Sequence, residues 1–170
     1  MRGDTAGLSN LFLENLQVMY YTEKHMVDAL GKMQAKCINY NLKDTLTHYR
    51  DIAKGHIRRM EEVFHLIGEQ PAGRKCEMIR DVIKEADDVI RKNPDACHGR
   101  DTGLMTAVQK AGHYGIVVYG MLVALAKKTG FVKEAGLLQL TLQEEYEADI
   151  MLVNVAKELN RDNALQYANV

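Results

Sequence analysis

The chain has 170 residues, 46% of them apolar, with 22 basic and 23 acidic side chains and a formal net charge of −1. That length and apolar content suit one domain with its own core and exclude a disordered chain, and the interspersed charges build no basic face for a nucleic acid. The absence of tryptophan, with only three phenylalanines but nine methionines, favours packed helices over a β-sandwich, and no apolar run approaches the roughly 18 residues of a membrane helix.

Helical periodicity then follows in chain order. The first predicted helix, residues 8–37, carries Phe12, Leu16, Met19, Glu23, Met26, Leu30, Met33 and Cys37 at alternating spacings of four and three. The second, 42–68, repeats that spacing with Leu42, Leu46, Tyr49, Ala53, His56, Met60, Val63 and Ile67, and Asn41 is expected to be its N-cap. Pro71 and Pro94 bracket a short helix over 76–92, with Ile79, Val82, Ile83, Ala86 and Ile90 on one face. The fourth, 101–129, offers Leu104, Val108, Ala111, Gly115, Val118, Leu122 and Leu125, and Gly130 is placed to end it in the left-handed conformation. The fifth, 132–160, offers Leu138, Thr141, Glu145, Ala148, Leu152, Val155 and Leu159.

The joints after the first and fourth helices are short, so each joins an antiparallel hairpin. About 30 residues, including the short helix, separate the two hairpins; one long crossover of this kind is the ferritin-like arrangement rather than plain up-and-down. The expected fold is an all-α, ferritin-like four-helix bundle in a single domain over 1–170, with a fifth short helix in the crossover. Cys37, Cys76 and Cys97 are odd in number and widely spaced, as expected of reduced thiols in a cytoplasmic protein. MRGDTAGLSN at the start lacks the apolar stretch of a signal peptide.

Antiparallel helices of similar length meet at their midpoints, and the apolar stripes break at that level. Glu23, His56 and Glu145 take core slots there, and Gly115 takes the slot of the fourth helix. A buried unpaired carboxylate costs several kcal/mol, so such groups need a cation, a proton or strong donors. Inward carboxylates and imidazole are the ligand set of iron and manganese sites in helical bundles. The candidate metal ligands are Glu23, His56, Glu145 and Asp149, the last one turn beyond Glu145 and able to serve as ligand or as supporting acceptor. Asp51, Lys54, His25, His48, His65 and His98 are assigned to solvent, His113 to a neighbouring helix, and Tyr49 to the core. Tyr20 and Val117, on outer faces, could serve a dimer interface. Neither a nucleophile–base pair nor a phosphate loop occurs, so no catalytic residue is assigned.

YYTEKHMVDAL, AGHYGIVVYGMLVALAKKTGF and LLQLTLQEEYEADIMLV resemble the YciE/YciF-type ferritin-like stress proteins, from about Leu8 to Leu159. The resemblance implies a ferritin-like bundle, a homodimer and a link to bacterial stress responses. Members of that family usually carry Glu where this chain has Gly112 and Gly115, and an acidic pair where it reads Asp51 and Ile52. Glu23, Glu145 and Asp149 remain of the carboxylates the family would supply. A dinuclear site uses about four carboxylates and two histidines, so a di-iron centre is expected to be absent or weakened and no cofactor is expected. The space left by Gly112 and Gly115 could let the helix pack closer, hold water, or admit a side chain such as His56. The expected function is a stress-associated bundle with a degenerate metal site, structural or non-catalytic, and the sequence does not identify a small-molecule substrate. The alternative is an iron- or manganese-dependent oxidoreductase on the reduced ligand set, and a third possibility is a helical module that binds a partner.

Overall fold

A computed structural model describes residues 2–95 and 97–167, with side chains for 6–95 and 97–161. Five helices follow one another: α1 (Arg2–Lys36), α2 (Tyr40–Leu66), α3 (Glu77–Lys92), α4 (His98–Thr129) and α5 (Val132–Tyr167). The four long helices close a ring in which α1 packs on α2 and α4, and α5 packs on α2 and α4, while α3 lies across α1 and α4. This is the all-α, ferritin-like bundle with its crossover helix between the two hairpins. Among the described residues, no helix is long and apolar enough to cross a membrane.

Local chemistry sets the joints. Gly130 ends α4 with φ 85°, the left-handed conformation expected of it. The N-cap of α2 is Asn39, not Asn41: Asn39 has extended backbone (φ −69°, ψ 124°) and its side chain accepts from the Leu42 amide at 2.9 Å. Helix α2 therefore begins two residues before the expected start, and the Asn41 side chain instead donates to Glu158 of α5 at 2.9 Å. Helices α1 and α4 begin before their expected starts, at Arg2 and His98, and α5 runs past its expected end to Tyr167.

The core is two apolar clusters with a polar layer between them. On α1, Phe12 to Tyr20 belong to one cluster and Met26 to Met33 to the other; on α2 the order reverses, from Leu42 to Tyr49 and then from Met60 to Phe64. Helices α4 and α5 repeat the alternation across residues 111–118 and 142–148. All four long helices thus change cluster at one level, where Glu23, His56, Gly115 and Glu145 lie buried.

A second buried polar group ties the two interhelix joints of one bundle end together. Asp101, fully buried at the start of α4, accepts from the amides of Ile38 and Asn39 at 3.2 and 2.7 Å. Its neighbour Arg100 donates to the carbonyls of Lys36, Asn93 and Pro94. One residue therefore holds donors of the α1–α2 joint, and the next holds acceptors at the ends of α1 and α3. Such pairing satisfies orphan groups that helix ends leave exposed.

Candidate functional site

Heptad-like spacing delivers one polar side chain from each of three helices to the mid-bundle level, and the fourth helix supplies room. His56 of α2 sits at the centre, with no solvent exposure. Its Nδ1 lies 3.0 Å from Oε1 of Glu23 and 3.5 Å from Oε1 of Glu145, and its Nε2 lies 3.1 Å from Oε2 of Glu144. Carboxylates only accept when ionised, so an imidazole facing them through both nitrogens is best satisfied as the doubly donating cation. Burial by itself would lower the His56 pKa; the Glu23 charge and bonds to Glu145 and Glu23 overcome it and raise the value to about 10.

Each glutamate has a further donor. Tyr119 donates to Oε1 of Glu23 at 2.7 Å, and Tyr49 donates to Oε2 of Glu145 at 2.8 Å. Burial, followed by the nearby carboxylates, pushes both phenols well above the ordinary tyrosine range. Burial likewise raises the Glu145 pKa; its bond to His56 opposes this, and the charge of Glu23 adds to it. Glu144 points to the rim, where Arg59 holds it by two contacts of 2.9 Å, one from each terminal nitrogen, and also donates to Thr141 at 2.7 Å. That Arg59 bond draws the Glu144 carboxyl below its usual range, although burial opposes it. The layer is thus an alternating chain of charges and donors with its polar groups mutually paired.

The expected ligands divide. Glu23, His56 and Glu145 each offer an atom such that all three lie within 4.8 Å of one another. Asp149 stands outside that group: its Oδ1 is 2.9 Å from Nε2 of His113 on the neighbouring helix, a contact not aligned as a hydrogen bond. Asp51 is exposed and paired with Lys54, so it faces away from the layer as expected. Tyr49 is core, and it is also a working donor of the site. Glu144, Arg59 and Tyr119 were not legible as site residues. Arg59 follows His56 by three and Tyr119 follows Gly115 by four, spacings that put each pair on one helix face.

The glycines explain how the layer closes. A Cβ built on Gly115 would lie 3.1 Å from Cδ and 3.2 Å from Oε1 of Glu145, and one on Gly112 would lie 3.5 Å from the Tyr49 hydroxyl. The space therefore admits Glu145 and Tyr49, not His56. No helix α4 carboxylate enters this layer among the described residues, and the inward carboxylates fall short of the four that a dinuclear centre uses. The donor set does not fit a pair of ions. Gly115→Ala should be less stable than Gly120→Ala by about 1–2 kcal/mol in urea unfolding, although both gain helix propensity. The contrast arises because a Cβ on Gly120 meets nothing within 4 Å, and equal stabilisation by both changes would contradict it.

Comparison with known proteins agrees with this fold. Residues 7–165 match the family described as "Domain of unknown function (DUF892)". The chain is 33% identical over 150 residues to Protein YciF of Escherichia coli strain K12, covering 88% of this chain and 90% of that one. The crystal structure of the E. coli stress protein YciF superposes with a TM-score of 0.85 at 31% identity, covering 91% of this chain and 97% of that one. The structure of YcfI from Rhodopseudomonas palustris, described there as a candidate structural protein, gives 0.81 at 32% identity, covering 85% and 92%.

Proposed function

Since the chain belongs to the DUF892 family and is similar to the stress protein YciF, we propose that it is a stress-associated helical-bundle protein with a structural, non-catalytic role. At its mid-level the His56 imidazolium takes the place of metal ions as the counter-charge for Glu23 and Glu145. The observation that carries this reading is the full pairing of the layer: imidazole nitrogens on three carboxylates, and a phenol on each buried one. Nothing in that arrangement waits for a cation, and the α4 positions that would have supplied acids hold glycine.

Metal analysis of protein purified without chelator, then challenged with ferrous and manganous ions, tests it. The expected content is well below one ion per chain. The second reading is a single divalent ion held by Glu23, His56 and Glu145, favoured by the convergence of their ligand atoms within 4.8 Å. One ion per chain, lost in both Glu23→Ala and Glu145→Ala, would establish that reading in place of the first.

The chain acts in the cytoplasm as a homodimer in this proposal. Val117, 70% exposed, and the exposed Tyr146 and Ile150 supply outer apolar surface for it. Tyr20 does not: it is 6% exposed and donates to Glu61 at 2.8 Å.

A further inference from the structure

Two phenols flank the polar layer from opposite apolar clusters, Tyr49 from one and Tyr119 from the other. Each donates to a buried carboxylate, Tyr119 to Glu23 at 2.7 Å and Tyr49 to Glu145 at 2.8 Å. A phenol gives up an electron far more readily when its proton can pass at once to a base already hydrogen-bonded to it, since the acidic radical cation is then never formed. Here that transfer needs only movement along an existing short bond in a preorganised site. Burial keeps a resulting phenoxyl away from water and from the radical–radical coupling that ends exposed tyrosyls. The chain has no tryptophan, so no indole competes for the oxidising equivalent.

We propose that the Tyr119–Glu23 and Tyr49–Glu145 pairs form a proton-coupled, one-electron sink for radical oxidants, an activity that rests on the metal-free reading of the layer. In the forward step one electron leaves the Tyr119 phenol for an organic peroxyl radical, which becomes the peroxide anion and takes a proton from water. The phenolic proton moves to Oε1 of Glu23, leaving a neutral phenoxyl beside a neutral carboxyl. A one-electron reductant of the ascorbate class reverses the step: the electron returns to the phenoxyl and the proton returns from Glu23. Tyr49 and Glu145 perform the same exchange on the other side of His56.

Azidyl radicals generated by radiolysis, with the metal-free full chain as target, test the proposal by freeze-quench electron paramagnetic resonance. The expected result is a persistent neutral tyrosyl signal that forms more slowly in D2O. Its yield falls about tenfold in the Tyr49→Phe/Tyr119→Phe double variant, which lacks both charge-assisted bonds, and is unchanged in the exposed-site control Tyr40→Phe. The proposal is overturned by an unchanged signal in the double variant. It is equally overturned by wild-type protein whose radical forms without a D2O effect or decays as fast as that of free tyrosine, results that need no variant to fold. The two levels fail separately: a stoichiometric ion in freshly purified protein sinks the metal-free reading, whereas absence of the radical in an ion-free core sinks the redox pairs alone.

Discussion

Replacing His56 by alanine is expected to cost about 3–5 kcal/mol of unfolding free energy near neutral pH, the range for breaking a buried charge pair. The substitution leaves Glu23 and Glu145, 4% and 2% exposed, facing each other with no positive group between them, and it opens a cavity. Most of the loss is the penalty on the stranded carboxylates rather than the worth of the original contacts. Two consequences separate this cause from simple loss of packing. The penalty should shrink as pH falls, because protonation discharges the stranded carboxylates, and burial already raises the pKa of Glu145. The triple change Glu23→Leu/His56→Leu/Glu145→Leu should be less destabilised than His56→Ala alone, since well-packed apolar groups carry no stranded charge. Urea unfolding at several pH values measures both; a small loss independent of pH would contradict the assignment.

Asp101→Ala should be the next most damaging change, at about 3 kcal/mol. The carboxylate is fully buried and accepts from two successive amides of the α1–α2 joint. Alanine strands those amides and loosens Asn39, whose side chain caps α2. A local reporter accompanies the loss of stability. Burial, and after it the Asp101 charge, pushes the Cys37 thiol up to about 12. Removing that charge lowers the thiol pKa, so Cys37 should react faster with a disulfide reagent at fixed pH. Unchanged stability together with unchanged Cys37 reactivity would show that the joint is held by other groups.

The bundle and its level were legible because they depend on periodicity. The spacing of four and three puts Glu23, His56 and Glu145 on core stripes, and short joints make the helices antiparallel, which fixes their common height. The partners of those residues depend on side-chain reach, which spacing does not give. Glu144 lies beside Glu145 in sequence but points to the rim, and only the position of Arg59 on the neighbouring helix draws it to His56. Asp149 was on the right part of α5 but meets His113 instead. The Arg100–Asp101 clasp joins residues more than sixty positions apart and leaves no local signature. Asn39 and Asn41 both suit a cap, and the extended backbone of Asn39, held by Asp101, decides between them.

The charge on His56 carries the interpretation of the layer. Its folded pKa is raised from 6.5 to about 10, so its stabilising contribution is fully present below about pH 6.5 and is lost as the pH rises through about 10. Nitrogen-15 magnetic resonance of the imidazole ring, followed from about pH 6 to pH 8 across the ordinary histidine range, reads that charge directly. Both ring nitrogens should remain protonated throughout, with no titration. A neutral tautomer at pH 7, or a ring nitrogen bound to metal, would contradict the imidazolium layer.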